Sequence, residues 1–155
     1  MVLLLEKSEQ MCLSVDMIES RRIYNYLLSE FSNRFVWLRL NEHDIDPICD
    51  GLPTVLMDSY VNEQFIEEYR KNPGDSEKWK AFFDFIEEML QSGDETLEDI
   101  INTTILELLA SEADINLESV LPYCGNKTRK SIYDSVRVFY VKPERANYLG
   151  RKYSL

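Results

Sequence analysis

No lysine or arginine occurs between Lys80 and Lys127, and the 46 residues enclosed hold eleven carboxylates: Asp84, Glu87, Glu88, Asp94, Glu95, Glu98, Asp99, Glu107, Glu112, Asp114 and Glu118. That segment carries as much charge as the net −11 of the whole chain, because residues 1–80 contribute −6 and residues 127–155 contribute +6. An acidic surface repels phosphate backbones and anionic lipid, and it steers basic proteins toward encounter. Nucleic acid and membrane surfaces are therefore poor expected partners, and a cationic protein is a good one. The plainer use of the same composition is to keep a domain soluble. Composition alone leaves both readings open.

Other scarcities remove whole classes of chemistry. Five glycines form no phosphate-cradling loop, and no serine or cysteine stands in a nucleophile-elbow context. The single histidine, His43, lies in Asn41-Glu42-His43-Asp44-Ile45-Asp46. A calcium loop begun at Asp44 would need glycine where Cys49 stands, and a zinc site would need further His or Cys ligands. The cluster reads as a solvated acidic loop. Adjacent carboxylates such as Glu67-Glu68 and Glu87-Glu88 diverge by about 100° on a helix, which does not suit paired acid–base work. No catalytic residue, metal or cofactor is expected, and the chain does not read as an enzyme. Three widely spaced cysteines, Cys12, Cys49 and Cys124, make neither a disulfide framework nor a zinc motif and read as reduced thiols. The apolar start, Met1 to Leu5, meets Glu6 and Lys7 too soon for a signal peptide, and no run approaches the roughly 20 apolar residues of a membrane helix. A cytoplasmic location is expected.

What is present is helical periodicity. Trp79, Phe82, Phe83, Ile86, Met89 and Leu90 recur at three-and-four spacing, opposite Lys78, Lys80, Asp84, Glu87 and Glu88. Asp75 or Ser76 can cap the start, and Gly93 can close the end in the left-handed conformation. Asp94 can cap a second stripe, Leu97, Ile100, Ile101, Ile105, Leu108 and Leu109, so the two helices form a tight hairpin. Residues 54–71 carry Leu56, Tyr60, Val61, Phe65 and Tyr69 after Pro53; Asn72-Pro73-Gly74 ends that stretch. Asn116 caps a short helix stopped by Pro122. Residues 127–140 read as a helix through Ile132, Val136, Phe139 and Tyr140, or as a strand end through Val136, Val138 and Tyr140. Nearer the start, residues 16–31 predict a helix with Met17, Tyr24, Leu27, Leu28 and Phe31 inside, Phe35 to Leu40 a strand or extended segment, and 41–53 a loop. The expected fold is all-α, a compact single-domain bundle of five to six helices in stacked hairpins over 1–155. Residues 54–140 would be its core and 1–50 an N-terminal extension.

The run Phe82-Phe83-Asp84-Phe85-Ile86-Glu87-Glu88-Met89-Leu90-Gln91-Ser92-Gly93-Asp94-Glu95 resembles a bacterial helical family of the DUF7674 type, in which an F-x-E-x-x-L-x-S-G-D-E turn precedes a second helix and a Gly-x-Lys-Thr-Arg segment. The later pieces here are Ile100 to Leu109 and Gly125-Asn126-Lys127-Thr128-Arg129. The resemblance covers residues 79–134, and residues 1–50 depart from it. Such domains are similar to the cytoplasmic immunity proteins that bacteria encode beside polymorphic or contact-dependent growth inhibition toxins. The resemblance implies a protein that neutralises a cognate, basic toxin, with a nuclease as one option, and that acts as a monomer or weak dimer. The alternative is a helical interaction or regulatory module with a basic partner that is not a toxin.

The expected contact residues are those placed on the outside of the hairpin: Asp84, Glu87 and Glu88 on its first helix, and Glu95, Glu98, Asp99 and Asn102 on its second. Merely solvating the bundle is the competing role for the same residues. The basic tail, Lys142, Arg145, Arg151 and Lys152 with Tyr140, Tyr148 and Tyr153, suits either nucleic acid or docking against the acidic face.

Overall fold

A computed structural model describes residues 2–112, 115–139 and 143–155, with side chains described from residue 16 onward except at 138, 139, 143–146 and 149. Among the described residues there are helices and turns and no strand, so the fold is all-α. Eight helices follow one another: α1 (Val2–Arg34), α2 (Glu42–Cys49), α3 (53–71), α4 (Ser76–Leu90), α5 (95–111), α6 (117–123), α7 (Asn126–Phe139) and α8 (Pro143–Tyr153). The count exceeds the expected five to six through α2, where a loop was expected, and α8, in the tail, where no helix was assigned. Two of the eight, α3 and α5, hold a wide π turn, at Met57–Val61 and Asn102–Leu106, and α6 ends in the tighter turn Leu121–Tyr123. No helix of the described residues is long and apolar enough to cross a membrane.

The chain divides into two compact units, residues 1–60 and 61–155. In the first, α1 begins well before residue 16, and Met17, expected inside, is 71% exposed. Ile23, Tyr24, Leu27 and Phe31 form its buried stripe. The segment after α1 is a turn and not a strand. Phe35 and Leu38 are buried three residues apart while Val36 between them stands out, and the Leu38 N–H returns to the Phe35 carbonyl at 3.1 Å. Residues 41–53 are also more than a loop. Asn41 accepts the His43 N–H at 3.0 Å, Glu42 and Asp44 sit where the helix dipole favours acids, and α2 runs through Pro47 to bury Ile45 and Cys49. Pro47 and Gly51 read as loop residues; the cap at Asn41 was the stronger signal. The Tyr24 hydroxyl donates to the Asp46 carboxylate, and burial, followed by that carboxylate, raises the Tyr24 pKa.

The second unit is built on rings. Phe65 stacks on Phe82 with centroids 5.1 Å apart and meets Trp79 and Phe83 edge-on at 5.4 and 5.8 Å, while Tyr69 meets Trp79 at 5.2 Å. Each such pair contributes about 0.5–1.5 kcal/mol beyond the area it buries. Trp79 is fully buried, and its indole N–H is satisfied by the Asn72 carbonyl at 2.8 Å. The expected α4 stripe, Trp79, Phe82, Phe83, Ile86, Met89 and Leu90, is buried throughout, with Phe85 added. Asp75 caps α4 through the Lys78 N–H, Gly93 turns the chain at φ +76°, and Asp94 caps α5 through the Leu97 N–H. The second helix then packs against the first, and α7 packs against both.

Within α5 the π turn changes which residues face inward. Leu97, Ile100, Ile101, Ile105 and Leu109 are buried as expected, but Leu108 is only half-buried, whereas Leu106 and Ala110 are buried. One extra residue in the turn sets every later side chain back by about 100°. Residues 127–139 are helical, which rejects the strand end, and Ile132 and Val136 face the core. Phe139 and Tyr140, also expected on that stripe, lie outside the described side chains.

Two stability measurements check this architecture. Phe83→Ala is expected to cost about 3–5 kcal/mol in chemical denaturation, because a fully buried ring leaves a cavity; a change near zero would refute the placement of that ring. Gly93→Ala is expected to cost about 1 kcal/mol, since open space surrounds the position and only the left-handed backbone penalises a side chain. A neutral result would move the turn elsewhere.

Candidate partner-binding face

The eleven carboxylates of the base-free segment have different occupations. Asp94 caps α5. Asp84 is exposed and pairs with Lys80 one turn earlier, Glu112 pairs with Arg70 at 3.6 Å, and Glu118 with Lys152 at 3.6 Å. Asp114 lies outside the described residues. Glu88 is exposed, one turn beyond Asp84 on the same side of α4. Glu95 and Asp99 are exposed and Glu98 half-exposed, and none of the three has an ion pair or side-chain hydrogen bond among the described residues.

Glu87 departs from its expected place on the outer face. It is half-buried and reaches from α4 to the start of α7, where Oε1 accepts the Lys127 N–H at 2.5 Å and the Thr128 N–H at 3.0 Å. A carboxylate from another helix thus does what an N-cap side chain does for its own helix, with the favourable helix dipole added. The approach is close enough to constrain its neighbour: a Cβ on Gly125 would come within 2.5 Å of the Glu87 side chain. Asn102, half-buried, begins the π turn and accepts the Ser131 hydroxyl of α7. Of the seven expected contact residues, Glu95, Glu98 and Asp99 form one cluster on the first turn and a half of α5, with Asn102 a turn beyond Glu98. Asp84 and Glu88 form a second on α4, and Glu87 belongs to the framework.

A groove of about 500 Å³ opens beside the α5 cluster, lined by Leu90, Glu98, Asn102, Lys127, Lys130, Ser131, Asp134 and Ser135. Sequence reasoning assigned no role to its α7 wall. The spacing of Lys127, Lys130, Ser131 and Asp134 was the available signal, since those positions share a helix face.

The basic tail folds onto its own unit. Arg129 lies 5.5 Å from the Tyr153 ring, Lys152 lies 5.6 Å from the rings of Tyr148 and Tyr153, and α8 packs on α7. The docking expected was against the acidic face; apart from the Lys152–Glu118 pair, the described contacts of the tail are with α7 and within α8. Lys142 and the side chain of Arg145 lie outside the described residues. The buried Cys124 thiol touches the Val120 carbonyl at 3.5 Å, and burial pushes its pKa up to about 12. Burial likewise raises Cys49. His43 is exposed on α2, and no group of three His, Cys, Asp or Glu side chains among the described residues is placed to hold a metal.

Fold and face together define an all-α protein with an acidic helical face. The chain belongs to the family described as a domain of unknown function, DUF7674, which matches residues 24–140. No curated protein and no solved structure matches the chain. The family therefore extends beyond residues 79–134 at both ends and takes in the second part of α1, so residues 24–50, expected to depart from it, fall within the match.

The framework role of Glu87 predicts that Glu87→Ala costs about 1–2 kcal/mol in denaturation, and that Gly125→Ala costs a similar amount by displacing the same carboxylate. In the double variant the two losses should not add, because they remove one interaction; additive losses would separate them. For the thiols, a Cys12→Ser variant should react with a disulfide reagent at pH 8 only as fast as it unfolds. Stability linked to Cys124 should be present in full below the ordinary thiol pKa of about 9 and be lost as pH rises toward 12. Rapid reaction of the folded variant would contradict the burial.

Proposed function

We propose that this protein is an immunity protein, which neutralises a cognate basic toxin domain by covering its functional groove with the carboxylates of α4 and α5. The observation that carries the reading is the cluster Glu95, Glu98 and Asp99, solvent-facing and without internal partners, in a stretch devoid of lysine and arginine. Charges committed to caps and ion pairs are explained by stability. These three are explained only in part, since acids near a helix N-terminus contribute about 0.3–1 kcal/mol each and other residues could do the same. Unpaired surface carboxylates retain a field that accelerates encounter with a cation.

The chemistry is substitution of one anion for another. A nuclease binds phosphates with lysine and arginine, and carboxylates held on rigid helices can occupy those positions and exclude the substrate. Rigidity comes from the ring-packed α4 and from α5 docked upon it. The interaction module with a basic partner that is not a toxin uses the same face and the same attraction; what separates the two is protection of cells.

Reversal of Glu95, Glu98 and Asp99 to lysine tests the reading. The triple variant is expected to slow association with the toxin encoded next to it by about tenfold or more at low salt, and to abolish protection in cells. Melting of the free variant accounts for its loss of helix-dipole stabilisation. A companion reversal is confined to Asp84 and Glu88, because Glu87 holds α7. Full protection and unchanged kinetics in both variants would remove the acidic face from the function.

A further inference from the structure

We infer that the groove between α5 and α7 is a recognition site for a polypeptide segment that carries one basic and one acidic side chain, and that it sets the register of the partner on the acidic face. This rests on the reading of that face as a partner surface, and adds where the partner is read.

The groove's charge is balanced. Glu98 on α5 and Asp134 on α7 stand against Lys127 and Lys130 on α7. Lys127 reaches the Leu90 carbonyl at 3.4 Å, but Glu98, Lys130 and Asp134 form no ion pair or side-chain hydrogen bond among the described residues, although they line one groove. A solvated surface of mixed charge normally finds such pairs at helical spacing, as Lys80 and Asp84 do on α4. Here Lys130 and Asp134 stand one turn apart on α7 without pairing, and Glu98 faces them from α5, over a polar floor already ordered: the Ser131 hydroxyl fixes the Asn102 carbonyl oxygen, leaving the amide N–H groups of Asn102 to donate.

The π turn is what builds this floor. It starts at Asn102, and the turn packs directly on α7. Such widened turns interrupt a helix at a stability cost and occur at functional sites more often than elsewhere.

A balanced groove adds little to long-range attraction, and a lone cation or anion would meet one repelling side chain for each attracting one. Its complement is a ligand with both signs, which gains twice and is rejected when its charges are transposed. The trough is open to solvent, which suits a chain passing along it better than an enclosed small molecule. Glu95, Asp99, Asp84 and Glu88 then supply encounter, and the groove supplies selection.

Amide chemical shifts of the isotope-labelled full chain, recorded during titration with short capped peptides, test the inference. One peptide carries an arginine and a glutamate four residues apart, a second carries its arginine alone, and a third its glutamate alone. The mixed peptide is expected to shift the signals of Asn102, Ser131 and Ser135 and to bind about fivefold or more tightly than either single-charge peptide. Glu98→Gln and Lys130→Gln should each remove most of that advantage, Lys130→Gln at unchanged melting temperature and Glu98→Gln with no more than the small loss expected of an acid in the first helical turn. No shift in those signals at millimolar peptide, or equal binding of all three peptides, would overturn the inference. Equal binding of free arginine and glutamate would overturn it in favour of a small-molecule site. Failure of the groove and failure of the immunity reading are distinguishable: peptide binding by a chain that gives cells no protection from the adjacent toxin would reject immunity and retain the groove, and protection without peptide binding would do the reverse.

Discussion

The interaction on which the second unit depends is the packing of Phe65 among Trp79, Phe82 and Phe83. Three rings of α4 within 6 Å of the Phe65 centre fix the rotation of that helix about its own axis, because any turn of it would take all three out of contact together. With that rotation fixed, Glu87 points toward the start of α7 while Asp84 and Glu88 point to solvent. The cap on α7 and the outer carboxylates of α4 are two faces of one constraint. The ion pair of Glu68 with Lys78, at 2.8 Å and about three-quarters shielded, closes the same region from the polar side.

Electrostatics in this chain are best understood by asking which charges the fold consumes. Caps at Asp75, Asp94 and Glu87 and ion pairs at Glu112 and Glu118 hold helices and loops in place. The rim pairs are half-exposed and each contributes only about 0–1 kcal/mol. What remains on α5 is a small group without internal partners, and it lies beside a groove lined by charges of both signs. The proposed function rests on them because stability leaves those side chains unexplained.

The amphipathic helices of the second unit were legible from sequence because ring and aliphatic residues keep the helical period, and because Asp75, Gly93, Asp94 and Asn116 mark the ends. The first unit was harder. Val36-Trp37-Leu38 alternates like a strand, yet Phe35 and Leu38 anchor a turn, and Pro47 concealed a capped helix. The π turns were invisible for a different reason: an extra residue in one turn leaves no mark on local composition and appears only as a phase error, as when Leu106 replaces Leu108 inside. The same limit governed the site. Outer positions of α5 could be read from periodicity, but the inward commitment of Glu87 and the α7 wall of the groove depend on which helix packs against which.

The salt dependence of association addresses the central claim most directly. The rate at which the purified chain binds the basic toxin that the proposal assigns to it is measured by stopped flow as ionic strength rises from a few millimolar to well above physiological. Steering by unpaired carboxylates predicts a fast association that falls by about tenfold or more over that range while dissociation changes little. An association rate indifferent to salt, or no complex at low ionic strength, would contradict the account.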